Sequence, residues 1–207
     1  MQRARTQEAK EERRQALLAA ALDEFFERGF AAARMDDIAA RAQLSKGALY
    51  LYFDSKDALF SALVETYALP NVARIESFAQ SGISGLRMLL RMAPSLIRET
   101  PLPKIMKILI AEAAAFPQMA SAYRETAIER VLNALAAMLA RAKKAGEVDI
   151  GDPALTARLV VSPMVMSAIW RVSFEHDPQA RVDLDALFSE YERILMRALG
   201  AKDMALP

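Results

Sequence analysis

Met35-Asp36-Asp37-Ile38-Ala39-Ala40-Arg41-Ala42-Gln43-Leu44-Ser45-Lys46-Gly47-Ala48-Leu49-Tyr50-Leu51-Tyr52-Phe53 reads as two short helices joined by a tight turn. Ile38, Ala39 and Ala42 line one face of the first helix, Leu44 plugs the turn, and Leu49 and Phe53 follow at helical spacing to close a small shared core. That is a helix-turn-helix, a shape that fits the DNA major groove. Ser45 can cap the second helix through its hydroxyl. Lys46, Gly47, Ala48, Tyr50 and Tyr52 then lie at or near the exposed N-terminal half of that helix. Each suits nucleic acid: Lys46 brings a point charge, Gly47 permits close backbone approach, and the tyrosine hydroxyls can bond phosphates while their rings touch thymine methyls.

Working outward, the run from Phe25 to Phe60 closely resembles the DNA-binding domain of the tetracycline-repressor (TetR) family. The landmarks are Gly29-Phe30, Asp37-Ile38-Ala39, Leu44-Ser45-Lys46-Gly47-Ala48-Leu49-Tyr50, Tyr52-Phe53 and Ser55-Lys56-Asp57-Ala58-Leu59. The resemblance implies operator contacts, mostly to phosphates, at Ser45, Lys46, Gly47, Tyr50, Tyr52 and Lys56. Three departures stand out. Ala33-Arg34-Met35 replaces the Thr or Ser that commonly opens the first helix of the motif, so a usual cap and phosphate contact is missing there. Gln43 replaces the family's turn glycine, at about 1 kcal/mol if the position is left-handed. Tyr52 stands where histidine is frequent and keeps an aromatic ring with a hydrogen-bonding tip.

The remaining chain reads as helix throughout. Leu17, Leu18, Ala21, Leu22, Phe25 and Phe26 make the stripe of a first helix that Gly29 can end in a left-handed cap. Ser55 caps a helix carrying Leu59, Phe60, Leu63 and Tyr67, which Pro70 is expected to stop. Further helices are expected at 85–99 with an internal Pro94, at 102–116 and at 118–145. Asp152-Pro153, a cap followed by proline at the first helical position, opens a helix to about Glu175, kinked at Pro163. A last helix runs from about Leu184 to Leu199, with Gly200 as its stop. The expected architecture is all-α: a helix-turn-helix domain over 1–67, then a larger helical effector-binding and dimerisation domain over 68–207.

Composition limits the alternatives. The chain has 207 residues, 54% of them apolar, which allows a substantial core. It has no cysteine, so disulfides, thiolate metal sites and cysteine nucleophiles are out. It has a single histidine, His176, placed before Asp177-Pro178 where a helix end or loop is expected, and no phosphate-loop or metal-ligand spacing. An enzyme is therefore not expected, nor any cofactor or metal. The formal net charge is +1 and residues 1–56 are close to neutral, so charge alone does not point to DNA; affinity must come from correct docking rather than bulk attraction. The N-terminal basic cluster that begins at Arg3 and Arg5 suits either a solvated helix start or a phosphate-binding arm. No uninterrupted apolar run approaches a bilayer-spanning length and the N-terminus is charged rather than signal-like, so a soluble, cytoplasmic protein without a membrane partner is expected.

Two uses of the apolar C-terminal helices are implied by the resemblance. Leu155, Leu159, Met166 and Ile169 on one helix, with Leu187, Tyr191, Ile194 and Leu195 on the last, can pack against their copies as a four-helix homodimer interface, so that two recognition helices face successive major grooves of a palindromic operator. Trp170 lies on the same helix. The second use is a pocket for a small hydrophobic effector, lined by Met88, Met92, Leu96, Met106, Leu109, Glu112, Phe116, Tyr123 and Trp170, with Met119 nearby; methionine adapts to varied apolar shapes. The same stripes also suit plain intramolecular core. Glu112, a carboxylate within an apolar stretch, selects a cationic ligand if it points inward and is a solvated face if it points outward. The implied function is a ligand-responsive, DNA-binding transcriptional regulator, a repressor by the family's habit; the alternative is a helical small-molecule-binding scaffold without specific DNA recognition.

Overall fold

A computed structural model of the chain describes residues 2–201, with side chains from residue 7 onward; Arg3 and Arg5 lie outside the described side chains. Every regular element among the described residues is helical. The contacts divide the chain into two compact units. One combines the residues up to Ala68 with Lys104–Ser121, and the other combines Leu69–Pro103 with the residues from Ala122 onward. The segment 104–121, expected with the effector domain, thus packs with the helix-turn-helix.

In the first unit, α1 (Gln2–Arg28) buries Leu17, Leu18, Ala21, Leu22 and Phe25. It ends at Gly29, whose φ of +83° is the left-handed stop that glycine adopts without strain. The next helix, α2 (Met35–Arg41), begins without a side-chain cap, since Arg34 makes no capping bond; Asp36 and Asp37 in its first turn place negative charge at the positive end of the helix instead. Gln43 adopts φ +57°, so the left-handed condition is met and its cost applies. Ser45 opens α3 (Lys46–Tyr50) by accepting from the Ala48 amide at 3.1 Å, and Ser55 opens α4 (Lys56–Leu63) in the same way through Ala58 at 3.1 Å.

Phe30 is the junction of this unit. Its ring packs on Phe25 and Phe116, both at 4.9 Å between centroids, and on Phe60 at 6.0 Å. Its N–H donates to Glu112 Oε1 at 3.0 Å, and its carbonyl accepts from Lys56 Nζ at 2.7 Å. Glu112 ends α7 (Leu102–Glu112); near the start of that helix, Lys104 pairs with Asp23 at 2.7 Å and Lys107 lies over the Phe26 ring. Arg41 ties α2 to α1 through Glu27 and the buried Glu24, 3.2 Å away. The bonded Arg41 holds the Glu27 carboxyl below its ordinary range.

In the second unit, α5 (Leu69–Ser77), α6 (Gly82–Glu99), α9 (Glu129–Lys144), α10 (Pro153–Phe174) and α11 (Leu184–Ala198) enclose a core of Leu86, Leu90, Leu135, Met138, Leu139, Val160 and Met196 among others. Asp152 caps α10 by accepting from Ala154 N at 2.7 Å, with Pro153 in the first turn as expected. Ion pairs Arg98–Asp185 and Arg87–Glu192 join α6 to α11.

Three expected boundaries differ. Pro70 does not stop a helix. A π-turn at Val64–Ala68 follows α4 and leads into α5, so Pro70 sits at the second position of a new helical segment, where its missing N–H is tolerated. The helix expected at 102–116 ends at Glu112, the residue whose side chain turns to Phe30. The helix expected at 118–145 is α8 (Pro117–Tyr123), a π-turn at Arg124–Ile128 and α9; hydrophobic periodicity does not register the one-residue slip of a π-turn. By length and composition, α10 is apolar enough to cross a membrane. It carries Arg158 and Arg171, and its Ala157, Val160 and Ala168 are buried in its own unit.

Candidate nucleic-acid interface and helical effector region

The buried face of α3 is Leu49, fully enclosed, with Phe53 following it. Of the rest of α3, Ala48 is half-buried and the other residues are displayed. Ser45, Lys46 and Gly47 are exposed, and Tyr50 is 45% exposed with Lys46 Nζ 6.0 Å from its ring centre. Tyr52 is half-buried beside Phe53. A methyl group built on Gly47 would meet nothing within 4 Å, and the backbone there is ordinary right-handed helix. Glycine in a helix is destabilising relative to alanine. Nothing inside the folded chain therefore requires Gly47 to lack a side chain.

Two of the expected cations have partners of their own. Lys46 pairs with Asp36 at 2.8 Å, an exposed contact that raises the Lys46 pKa and offsets part of the charge offered to phosphate. Lys56 donates to the carbonyls of Phe30 and Ala31 at 2.7 and 2.9 Å and lies 5.1 Å above the Phe30 ring. Its ammonium has three donors, so one remains.

Sequence reasoning passed over Leu51, which is 84% exposed beside Tyr50. Helical spacing already contained the signal. Leu51 is two residues from both Leu49 and Phe53, and residues two apart on a helix do not share a face. An apolar side chain in water beside two tyrosines extends the surface that can meet thymine methyls.

The residues expected to line an effector pocket fall in both units. Met106, Leu109, Glu112 and Phe116 belong to the first, Leu109 being buried and Glu112 and Phe116 engaged with Phe30. Glu112 takes neither of the expected orientations, toward a cationic ligand or toward solvent. Its carboxylate binds a backbone N–H within the first unit. Met88, Met92, Leu96, Tyr123 and Trp170 belong to the second. Met88 is exposed, Met92 and Leu96 are half-buried, and Tyr123 is buried. Trp170 packs on Phe174 with ring centres 4.8 Å apart and the planes tilted by 51°, and donates its Nε1–H to the Ala180 carbonyl at 2.8 Å.

The expected dimer residues divide by exposure. Leu155 (63%), Leu159 (73%), Met166 (64%), Leu187 (41%) and Ile194 (52%) are exposed on α10 and α11. Ile169 is half-buried; Tyr191 and Leu195 pack partly on their own core, and the Tyr191 hydroxyl donates to the Val160 carbonyl at 2.8 Å. Among the described residues no cluster of three His, Asp or Glu could hold a metal. His176 sits exposed in the turn after α10.

Against known proteins, residues 17–63 match the family described as bacterial regulatory proteins, tetR family, and residues 84–186 match the AefR-like transcriptional repressor C-terminal domain. The HTH-type transcriptional activator FasR of Mycolicibacterium smegmatis is 47% identical over 58 residues, 28% of this chain; the match spans about a quarter of that protein, 26%. Among solved structures, a complex of SmeT with triclosan is 24% identical, covers 95% of each chain and has a TM-score of 0.76. SmeT is the repressor of a Stenotrophomonas maltophilia multidrug efflux pump. NalD, a secondary repressor of such a pump in Pseudomonas aeruginosa, is 22% identical, covers 94% of this chain and 99% of its own, and has a TM-score of 0.75. The two family matches lie in order along one all-helical chain, and the proteins they describe are regulators rather than enzymes. The chain belongs to the tetR family of bacterial DNA-binding transcriptional regulators.

Proposed function

We propose that this regulator is a cytoplasmic homodimer that binds a near-palindromic operator as a repressor and leaves it when a small hydrophobic effector binds the C-terminal helices. The observation that carries the DNA-reading surface is Gly47. A destabilising glycine with empty space around it, flanked by exposed Lys46 and Tyr50, is accounted for by a partner that approaches the backbone. Ser45, Lys46, Gly47, Tyr50 and Tyr52 form that surface, and Lys56 supports it chiefly by fixing the turn before α2. The exposed Leu155, Leu159, Met166, Leu187 and Ile194 of α10 and α11 support the dimer, since scattered single leucines need no partner but a stripe on two helices does. The same stripe on α10 is better used against a second copy than against lipid, because the opposite side of that helix is already buried in protein and Arg158 lies between the exposed leucines. The description of SmeT as a complex with triclosan, and of SmeT and NalD as repressors, supports both the hydrophobic effector and the sign of regulation; FasR, an activator, is the contrary case.

The chain passes from the first unit to the second just after the π-turn at Val64–Ala68. In the proposed mechanism the effector favours a conformer in which the helix leading to Pro70 tilts, changing the separation of the two recognition helices. A tenfold loss of operator affinity requires about 1.4 kcal/mol of differential binding between the two conformers. The test is to incubate the protein with sheared genomic DNA from its source, sequence what is retained, and run Lys46→Ala in parallel. One enriched near-palindrome, depleted with the variant, supports the reading. No enrichment after unfolding and refolding, which strips any co-purified ligand, favours the scaffold without DNA recognition.

A further inference from the structure

Tyr123 is 8% exposed and, among the described residues, its hydroxyl makes no hydrogen bond. Buried tyrosine hydroxyls ordinarily find a partner, as Tyr191 does on Val160. The completely enclosed oxygen that lacks a hydrogen bond among the described residues, Glu24 Oε1, has the Arg28 guanidinium 3.0 Å away instead; the Tyr123 oxygen has no such partner and is not completely enclosed, so it keeps accessible surface. It also stands immediately before the π-turn Arg124–Ile128, a helical irregularity of the kind that recurs at functional sites.

We propose that Tyr123 is the polar anchor of the effector site and donates its hydroxyl to an acceptor oxygen on a neutral, otherwise apolar molecule. This rests on the reading of the chain as an effector-binding regulator and adds the chemical class of the effector. The surroundings support neutrality. Burial alone pushes the Tyr123 pKa up to about 12, with no charged neighbour contributing, so the phenol stays protonated and is a donor at neutral pH. A carboxylate ligand placed there would be desolvated with no countercharge at the hydroxyl. A cationic ligand finds no carboxylate there either, and the one acidic group expected to select it, Glu112, is bonded to Phe30. A ketone, ester or ether oxygen on an apolar frame satisfies the hydroxyl at no such cost.

The test uses the full-length protein and three probes of similar shape: 2-acetylnaphthalene, which carries a neutral acceptor, 2-ethylnaphthalene, which carries none, and 2-naphthoate, which is anionic. Affinities are measured by calorimetry or ligand fluorescence for wild type and Tyr123→Phe. The expected result is about five- to tenfold tighter binding of the ketone than of the hydrocarbon, the worth of one neutral hydrogen bond, with naphthoate weakest. Tyr123→Phe should erase the ketone's advantage and leave the 2-ethylnaphthalene affinity unchanged, which a merely structural role would not do. Equal binding of ketone and hydrocarbon to wild type, or a ketone advantage that survives in Tyr123→Phe, overturns the anchor and leaves the effector-binding reading standing. Binding of none of the three overturns both.

Discussion

Gly47→Ala should make the protein more stable and worse at binding DNA. The new methyl group finds no atom within 4 Å and sits on right-handed helical backbone, so it introduces neither clash nor strain. Replacing a helical glycine by alanine is worth roughly 0.5–1 kcal/mol of stability, and a place in the first turn of a five-residue helix puts the expectation at the lower part of that range. Binding moves the other way. If phosphate oxygens approach the Lys46-Gly47 backbone to hydrogen-bond distance, a methyl between them removes a charge-assisted bond worth about 1.5–3 kcal/mol, which is roughly a ten- to hundredfold loss of affinity. The assays are urea denaturation followed by circular dichroism and a fluorescence-anisotropy titration of the selected operator at one fixed salt concentration. Unchanged operator affinity in a variant at least as stable as wild type would refute the assignment of this surface. A large loss of stability would refute the reasoning earlier, because it would mean that something in the folded chain does require glycine at 47.

Asp36→Asn should release Lys46, tightening operator binding and steepening the dependence of log K on log salt by up to about one ion, while Lys46→Ala flattens it by less than one; identical slopes in both variants would remove Lys46 from the phosphate surface. Gly29→Ala and Glu112→Ala should be strongly non-additive. A Cβ on Gly29 falls 2.8 Å from Glu112 Oε1 at a φ of +83°, so the first substitution both strains the backbone by about 1–2 kcal/mol and displaces the carboxylate from the Phe30 amide, whereas only the strain remains once Glu112 is gone. Hydrogen exchange over peptides covering residues 17–40 reads the opening of this unit, and additivity to within about 0.5 kcal/mol would contradict the coupling. Leu155→Glu with Leu159→Glu should give a folded monomer in sedimentation and a large loss of operator affinity; a persistent dimer with these two charges would rule out this face of α10. Burial pushes Tyr123 and Tyr191 up to about 12 from an ordinary 10.0. Raised folded-state values mean that stability is fully present below pH 10 and is lost as pH rises from 10 toward 12, so the urea midpoint should fall across that window and fall less steeply in Tyr123→Phe and Tyr191→Phe.

Most of the helical framework was legible because its punctuation is local. Ser45, Ser55 and Asp152 cap the helices they precede, and Gly29, Gln43 and Gly200 take the left-handed conformation where a stop or turn was expected. The exposure of the α3 face proposed to read DNA was legible for a related reason. Burying Leu49 and Phe53 leaves the intervening helix face outward, although the same spacing exposes Leu51, which was overlooked. The π-turns were not legible, since a one-residue slip leaves the apolar stripe nearly in phase, and Pro70 was misread because proline is a stop only where the helix ladder is otherwise intact.

The allegiance of residues 104–121 was beyond reach for a different reason. It depends on Phe30, whose N–H, carbonyl and ring are taken by Glu112, Lys56 and Phe116, residues 26 to 86 positions away. Periodicity marks α7 as amphipathic and leaves open which core its apolar side serves. The deciding groups are polar: Lys104 on Asp23 near its start and Glu112 on the Phe30 amide at its end. Glu112 illustrates the limit well. In sequence, a carboxylate inside an apolar helix has two obvious fates, a charged ligand or water. The third, a backbone N–H left without a helical partner where α1 has just ended, becomes visible only when the turn that exposes that N–H is in place. The same carboxylate approaches closely enough that any side chain at Gly29 would meet it, so the glycine that stops α1 and the glutamate that ends α7 constrain each other across the first unit.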